Sequence, residues 1–148
     1  MKACATLFAI ALAGCPKSPA SPAASPPVQA TADAAVAPPP LEQDLSRLAG
    51  RVVQLYQDVA SALAAAGTDC AAATAKLREL QPQYAEVTAT SARVLHEGRA
   101  KEMRTALEPH AEALDAAGKA IATSQTMAKC SSDRAFTEAF DGVIGAPP

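Results

Sequence analysis

The 148-residue chain predicts an all-α fold. From Leu41 onward, apolar residues recur at alternating steps of four and three, the spacing that places them on one face of a helix. Alanine, the strongest helix former, occurs 38 times. No segment has the two-residue alternation or the clustering of β-branched side chains expected of a strand. The expected architecture is an antiparallel up-down bundle of three long helices plus a short fourth, following a disordered Pro/Ala-rich tether.

The first helix is expected over residues 41–66. Its stripe is Leu41, Leu45, Leu48, Val52, Leu55, Val59, Ala62 and Leu63, with Glu42 and Asp44 near the positive N-terminus and Gly67 as the stop. Thr68 or Asp69 caps a second helix, whose stripe is Ala73, Leu77, Leu80, Tyr84, Val87, Ser91 and Val94. Pro82 is expected to kink or briefly break it, because proline lacks an N–H and its ring crowds the preceding turn. Gly98 ends it. A third long helix, over about residues 99–128, carries Met103, Leu107, His110, Leu114, Ala117, Ile121 and Ser124, with a bend at Pro109. Ser131 or Ser132 then caps a short fourth helix with Phe136, Phe140 and Val143 on one face. The many alanines each bury little area, so the expected core is thin.

Upstream of the helices the chain reads as an export leader and a spacer. Lys2 is followed by an apolar stretch of about ten residues, well short of the roughly 20 needed to cross a bilayer. It ends in Leu12-Ala13-Gly14-Cys15, which resembles the lipobox of bacterial lipoproteins at every position. That resemblance implies removal of residues 1–14 as a signal peptide and a diacylglycerol on the thiol of Cys15. The chain would be anchored to a membrane rather than spanning it. Residues 15–40 are then the lipidated cysteine and a tether of Pro, Ala and Ser, residues 41–145 the helical domain, and residues 146–148 a tail. Pro16 stands where enteric-type lipoproteins retained at the inner membrane carry aspartate, which favours the outer membrane. The expected location is the cell envelope, with the helical domain periplasmic or surface-exposed. Taken whole, the chain resembles the small alanine-rich helical lipoproteins encoded by high-GC Gram-negative bacteria such as the myxobacteria.

The lipobox also changes the cysteine count. Cys4 leaves with the leader and Cys15 becomes the lipid attachment, so Cys70 and Cys130 remain as a pair in an oxidising compartment. Their separation excludes a local C-x-x-C motif. In an up-down bundle Cys70 begins the second helix and Cys130 follows the third, at the same pole, and a disulfide between them is expected.

The formal net charge is −2, and loss of Lys2 leaves 12 basic against 15 acidic side chains. With no basic block and few aromatic residues, the composition disfavours nucleic-acid binding. His110 is the weak candidate for a metal ligand, since it falls on the third apolar stripe. It lacks the carboxylates and second histidine that a bundle metal site uses, so no cofactor is assigned. His96 and Met103 flank the Gly98 turn, where a haem pair would need both to face inward. Glu108, Glu112 and Asp115, with Lys119, read as a solvated helix face. Arg93, Arg99, Lys101 and Arg104 gather near the same turn and suit anionic partners or their acidic neighbours. No nucleophile–base pair or glycine-rich phosphate loop is visible. The expected function is therefore that of a non-enzymatic interaction or structural module, held to the membrane by its lipid and facing an envelope protein. A small-ligand, metal or haem carrier and a periplasmic holdase-like chaperone are the alternatives.

Overall fold

A computed structural model of the protein describes residues 38–145, and all regular structure among them is helical. The leader, Cys15, the tether up to residue 37 and the tail at 146–148 lie outside the described residues.

The first turn, Leu41–Gln43, is a 3-10 helix that buries Leu41. Asp44 then starts α1 (Leu45–Ala66), its carboxylate accepting the Arg47 N–H at 3.0 Å. α1 buries Leu48, Leu55, Val59 and Leu63 as the stripe predicts, and also Ala49 and Val53 from a second row. The wider buried face has a packing cause: α1 meets α2 on one side and the chain segments that lie beyond Gly98 on another. At Gly67 the backbone turns to φ 60°, where the absent Cβ removes the steric penalty.

Asp69 caps α2 (Cys70–His96) by accepting the Ala72 N–H at 3.0 Å. Of the kink or brief break expected at Pro82, the break does not occur: α2 is continuous from Cys70 to His96. The lost donor there faces the Arg78 carbonyl on an exposed side of the helix, where water can serve the orphaned oxygen. The exit of α2 is a Schellman turn, with Gly98 N–H donating to the Leu95 carbonyl and Arg99 N–H to that of Val94, and Gly98 at φ 77°.

The expected third long helix is instead three pieces, so only α1 and α2 are long. α3 (Ala100–Leu107) passes into a 3-10 turn, Glu108–His110, and then α4 (Ala111–Ala122). Pro109 causes the first break, since its ring and missing N–H tighten the backbone into i→i+3 bonding. The second comes at Ser124, whose side chain accepts the Met127 N–H at 3.1 Å and so starts α5 (Gln125–Cys130). Ser124 is thus a cap and not a member of the apolar stripe. The last helix, α6 (Arg134–Ile144), is capped by Asp133 rather than by Ser131 or Ser132: its carboxylate accepts the Phe136 N–H at 3.0 Å.

Packing centres on α1 and α2. α2 lies against α1 and α6, while α1 also meets α3, α4 and α5. The core joins Leu48, Leu55, Val59 and Leu63 of α1 to Leu77, Val87 and Val94 of α2 and to Phe136 and Val143 of α6. The sulfurs of Cys70 and Cys130 are at disulfide distance, 2.04 Å, with Cα atoms 5.5 Å apart. Beside them, fully buried Thr126 sets its hydroxyl 2.7 Å from the Leu63 carbonyl oxygen and 2.5 Å from that of Gly67, so α5 is tied by a side-chain hydrogen bond to the end of α1 and its cap.

Candidate apolar groove between α2 and α3

Helices α2 and α3 leave the Gly98 turn over α1 and enclose an open groove of about 780 Å³. Its floor comes from the stripes: Leu55 and Val87 are each 2% exposed and Met103 6%. Ala92 and Leu95 on α2 and Leu107 on α3 continue the apolar lining, and Ile144 and Gly145 at the end of α6 border it. Leu95 is 55% exposed, the one large hydrophobic side chain so exposed among the described residues. It lies next to stripe residue Val94 but off the stripe, so the periodicity that marks the core does not account for it.

The polar members of the lining are few. Tyr56, Thr88 and Ser91 come from α1 and α2, and the Ser91 hydroxyl oxygen is buried without a hydrogen-bond partner among the described residues. A polar atom in that state carries a desolvation cost that a ligand or water can relieve. His96 and Arg104 stand on the exposed rim, and among the described residues no carboxylate lines the groove.

The basic residues near the turn divide into two kinds. Arg99 is held by Glu102 at 2.9 Å, by Glu97 at 3.8 Å and by the Glu42 carbonyl at 3.0 Å, and Arg93 meets Glu42 at 3.6 Å. Those two tie the first turn of the domain to its Gly98 end. Lys101 and Arg104 form no ion pair among the described residues.

His110 is half-buried in the 3-10 turn rather than on a continuous inner face. Among the described residues no group of three or more His, Cys, Asp or Glu side chains converges on a common point, so Glu108, Glu112 and Asp115 bring it no shared site. His96 and Met103, by contrast, line the same groove, with Met103 on the floor and His96 on the rim.

On the other side of the α1–α2 seam, buried Tyr84 donates its hydroxyl to the Asp58 carboxylate, and the Arg51 guanidinium sits 5.1 Å from the centre of its ring. Burial, reinforced by Asp58, pushes the Tyr84 phenol up to about 12. This cluster joins α1 to α2 by a hydrogen bond and a cation–π contact. Comparison with protein-family models, with curated proteins and with solved structures finds no match to this chain.

Proposed function

We propose that the protein is an envelope lipoprotein, anchored through Cys15, whose helical domain is a non-enzymatic binding module. The anchor rests on Leu12-Ala13-Gly14-Cys15 and the leader before it. The binding role rests on the groove: an apolar floor open to solvent, with Leu95 exposed at its edge and few polar groups along it. Such a concave apolar surface, interrupted by a few placed polar atoms, is the usual form of a ligand or partner site. The helices are read as an up-down arrangement with Cys70 and Cys130 at one pole, consistent with their 5.5 Å Cα separation. Export to an oxidising compartment suits that pair, and Pro16 favours the outer membrane.

Two measurements test this reading. Metabolic palmitate labelling is expected to mark the protein, and Cys15→Ser to abolish the label and move the protein from the membrane to the soluble fraction. Label that survives Cys15→Ser overturns the anchor. A photo-crosslinking residue at position 95 is expected to form an adduct with a bound envelope component in cells. The same residue at Glu138, exposed on α6 and remote from the groove lining, is expected to form none. Equal behaviour at the two positions overturns the groove as the binding surface.

A second reading has one observation in its favour. His96 and Met103 share the groove, and a haem carrier would use such a pair as axial ligands. A Soret band in the protein purified from its own host, lost in His96→Ala, is the expected signature of that reading.

A further inference from the structure

The groove combines three features that select a class of occupant. Its floor is apolar, its exposed rim carries His96 and Arg104, and among the described residues no carboxylate lines it. The Arg104 guanidinium makes no ion pair among the described residues, so it is a permanent positive charge above an apolar trough. Partway along the trough the buried Ser91 oxygen lacks a partner among the described residues.

We propose that this groove holds a fatty-acid-class ligand: an unbranched apolar chain lying on the floor, with its single carboxylate at the rim against Arg104 and His96. This builds on the reading of the domain as a binding module and is independent of the anchor at Cys15. Shape favours a chain over a helical peptide. The α2 residues lining the groove, from Val87 to His96, extend for roughly 14 Å at 1.5 Å per residue. At the Gly98 end the walls are joined by a turn of residues 97–99, which holds them close at that end. A helix with side chains is about 10 Å across and has to sit above such a trough, whereas one hydrocarbon chain is no wider than the side chains lining it. Charge favours an anion: a carboxylate gains a charge-assisted hydrogen bond from Arg104, whereas a cationic head meets repulsion with no acid in the lining to offset it.

The test uses the full chain with Cys15→Ser, so that no attached acyl group competes, and displacement of the fluorescent fatty acid cis-parinaric acid. Laurate is expected to displace the probe, and dodecyltrimethylammonium to do so at least tenfold more weakly. Arg104→Gln is expected to weaken laurate about tenfold, the equivalent of one lost charged contact. Ala92→Trp fills the groove from an exposed position and is expected to abolish laurate binding while leaving the helical circular dichroism and melting temperature unchanged. Failure of laurate to bind, equal binding of the two amphiphiles, or indifference to both substitutions overturns the proposal. So does haemin binding that depends on His96 in a protein that ignores laurate. A crosslinked partner at position 95 together with no laurate binding removes the fatty acid and leaves the binding module standing.

Discussion

At the residue scale, two buried hydroxyls hold segments that apolar contact alone does not position. Thr126 reaches the Leu63 and Gly67 carbonyl oxygens across more than fifty residues of chain; Leu63 also accepts the Gly67 N–H, and the Gly67 carbonyl lies just past the end of α1. Thr126→Val keeps the shape and removes the donor, and is expected to cost about 1–2 kcal/mol in urea unfolding. Tyr84 acts through its proton. Its phenol is raised to about 12 from an ordinary value of 10.0, so the protonated form is the one the fold prefers. The stabilisation it gives is complete below pH 10, where both folded and unfolded chains keep the proton. It is lost as pH rises from 10 through 12, where the unfolded chain ionises first. Urea midpoints of the wild type should therefore fall across that window, and Tyr84→Phe should flatten the fall. Tyr84 was legible as a stripe residue. Its pairing with Asp58 was not, because the two are 26 residues apart and on different helices.

At the element scale, the caps divide cleanly. Asp69 and Gly98 follow from local chemistry: a carboxylate positioned to accept the Ala72 N–H, and a residue without a Cβ where φ must be positive. Ser124 also fits the apolar spacing of residues 103–121, and that coincidence hides its capping role in the sequence. Its hydroxyl has the choice of a stripe position or a cap, and the buried contacts of Thr126 favour the cap. Asp133 lies just after Ser131 and Ser132, all three being good capping types, so the local sequence alone does not separate them. α4 offers a direct test of helix propensity. Gly118 lies in its interior, and a Cβ added there meets nothing within 4 Å. Gly118→Ala is expected to stabilise the protein by up to about 1 kcal/mol, seen as a higher melting temperature. A smaller gain is expected at Gly142, where an added Cβ requires the end of the flexible Gln81 side chain to move aside.

At the scale of the whole molecule, α1 is covered on two sides, and α2 and α6 complete the core with Phe136 and Val143. The link between Cys70 and Cys130 closes a loop with a sequence separation of 60. A loop of that length restricts the unfolded chain by roughly 4 kcal/mol in the chain-entropy account. Replacing both cysteines with alanine is expected to lower the melting temperature markedly, and reductant to have little further effect on that variant. A wild type that melts identically with and without reductant argues against the link. The pairing was accessible from the sequence once Cys4 and Cys15 were set aside. The groove was not, because its walls come from α1, α2, α3 and the end of α6, and no spacing in the chain records how far α3 stands from α2.

The sequence by itself determined that this region is helical, where α1 and α2 end, and that the helical path beyond Gly98 is perturbed at Pro109, though as a bend and not as the break that occurs. Those outcomes depend on side-chain periodicity, on φ at Gly67 and Gly98 and on a missing N–H, all of them properties of a residue and its near neighbours. Only the tertiary structure decided that Thr126 bonds to the end of α1, that the Ser91 hydroxyl oxygen is buried with no partner among the described residues, and that Arg104 and His96 overlook an open apolar trough. Each of these depends on how segments distant in the chain exclude water from one another, and the local pattern that specifies a helix does not encode which neighbour will cover it.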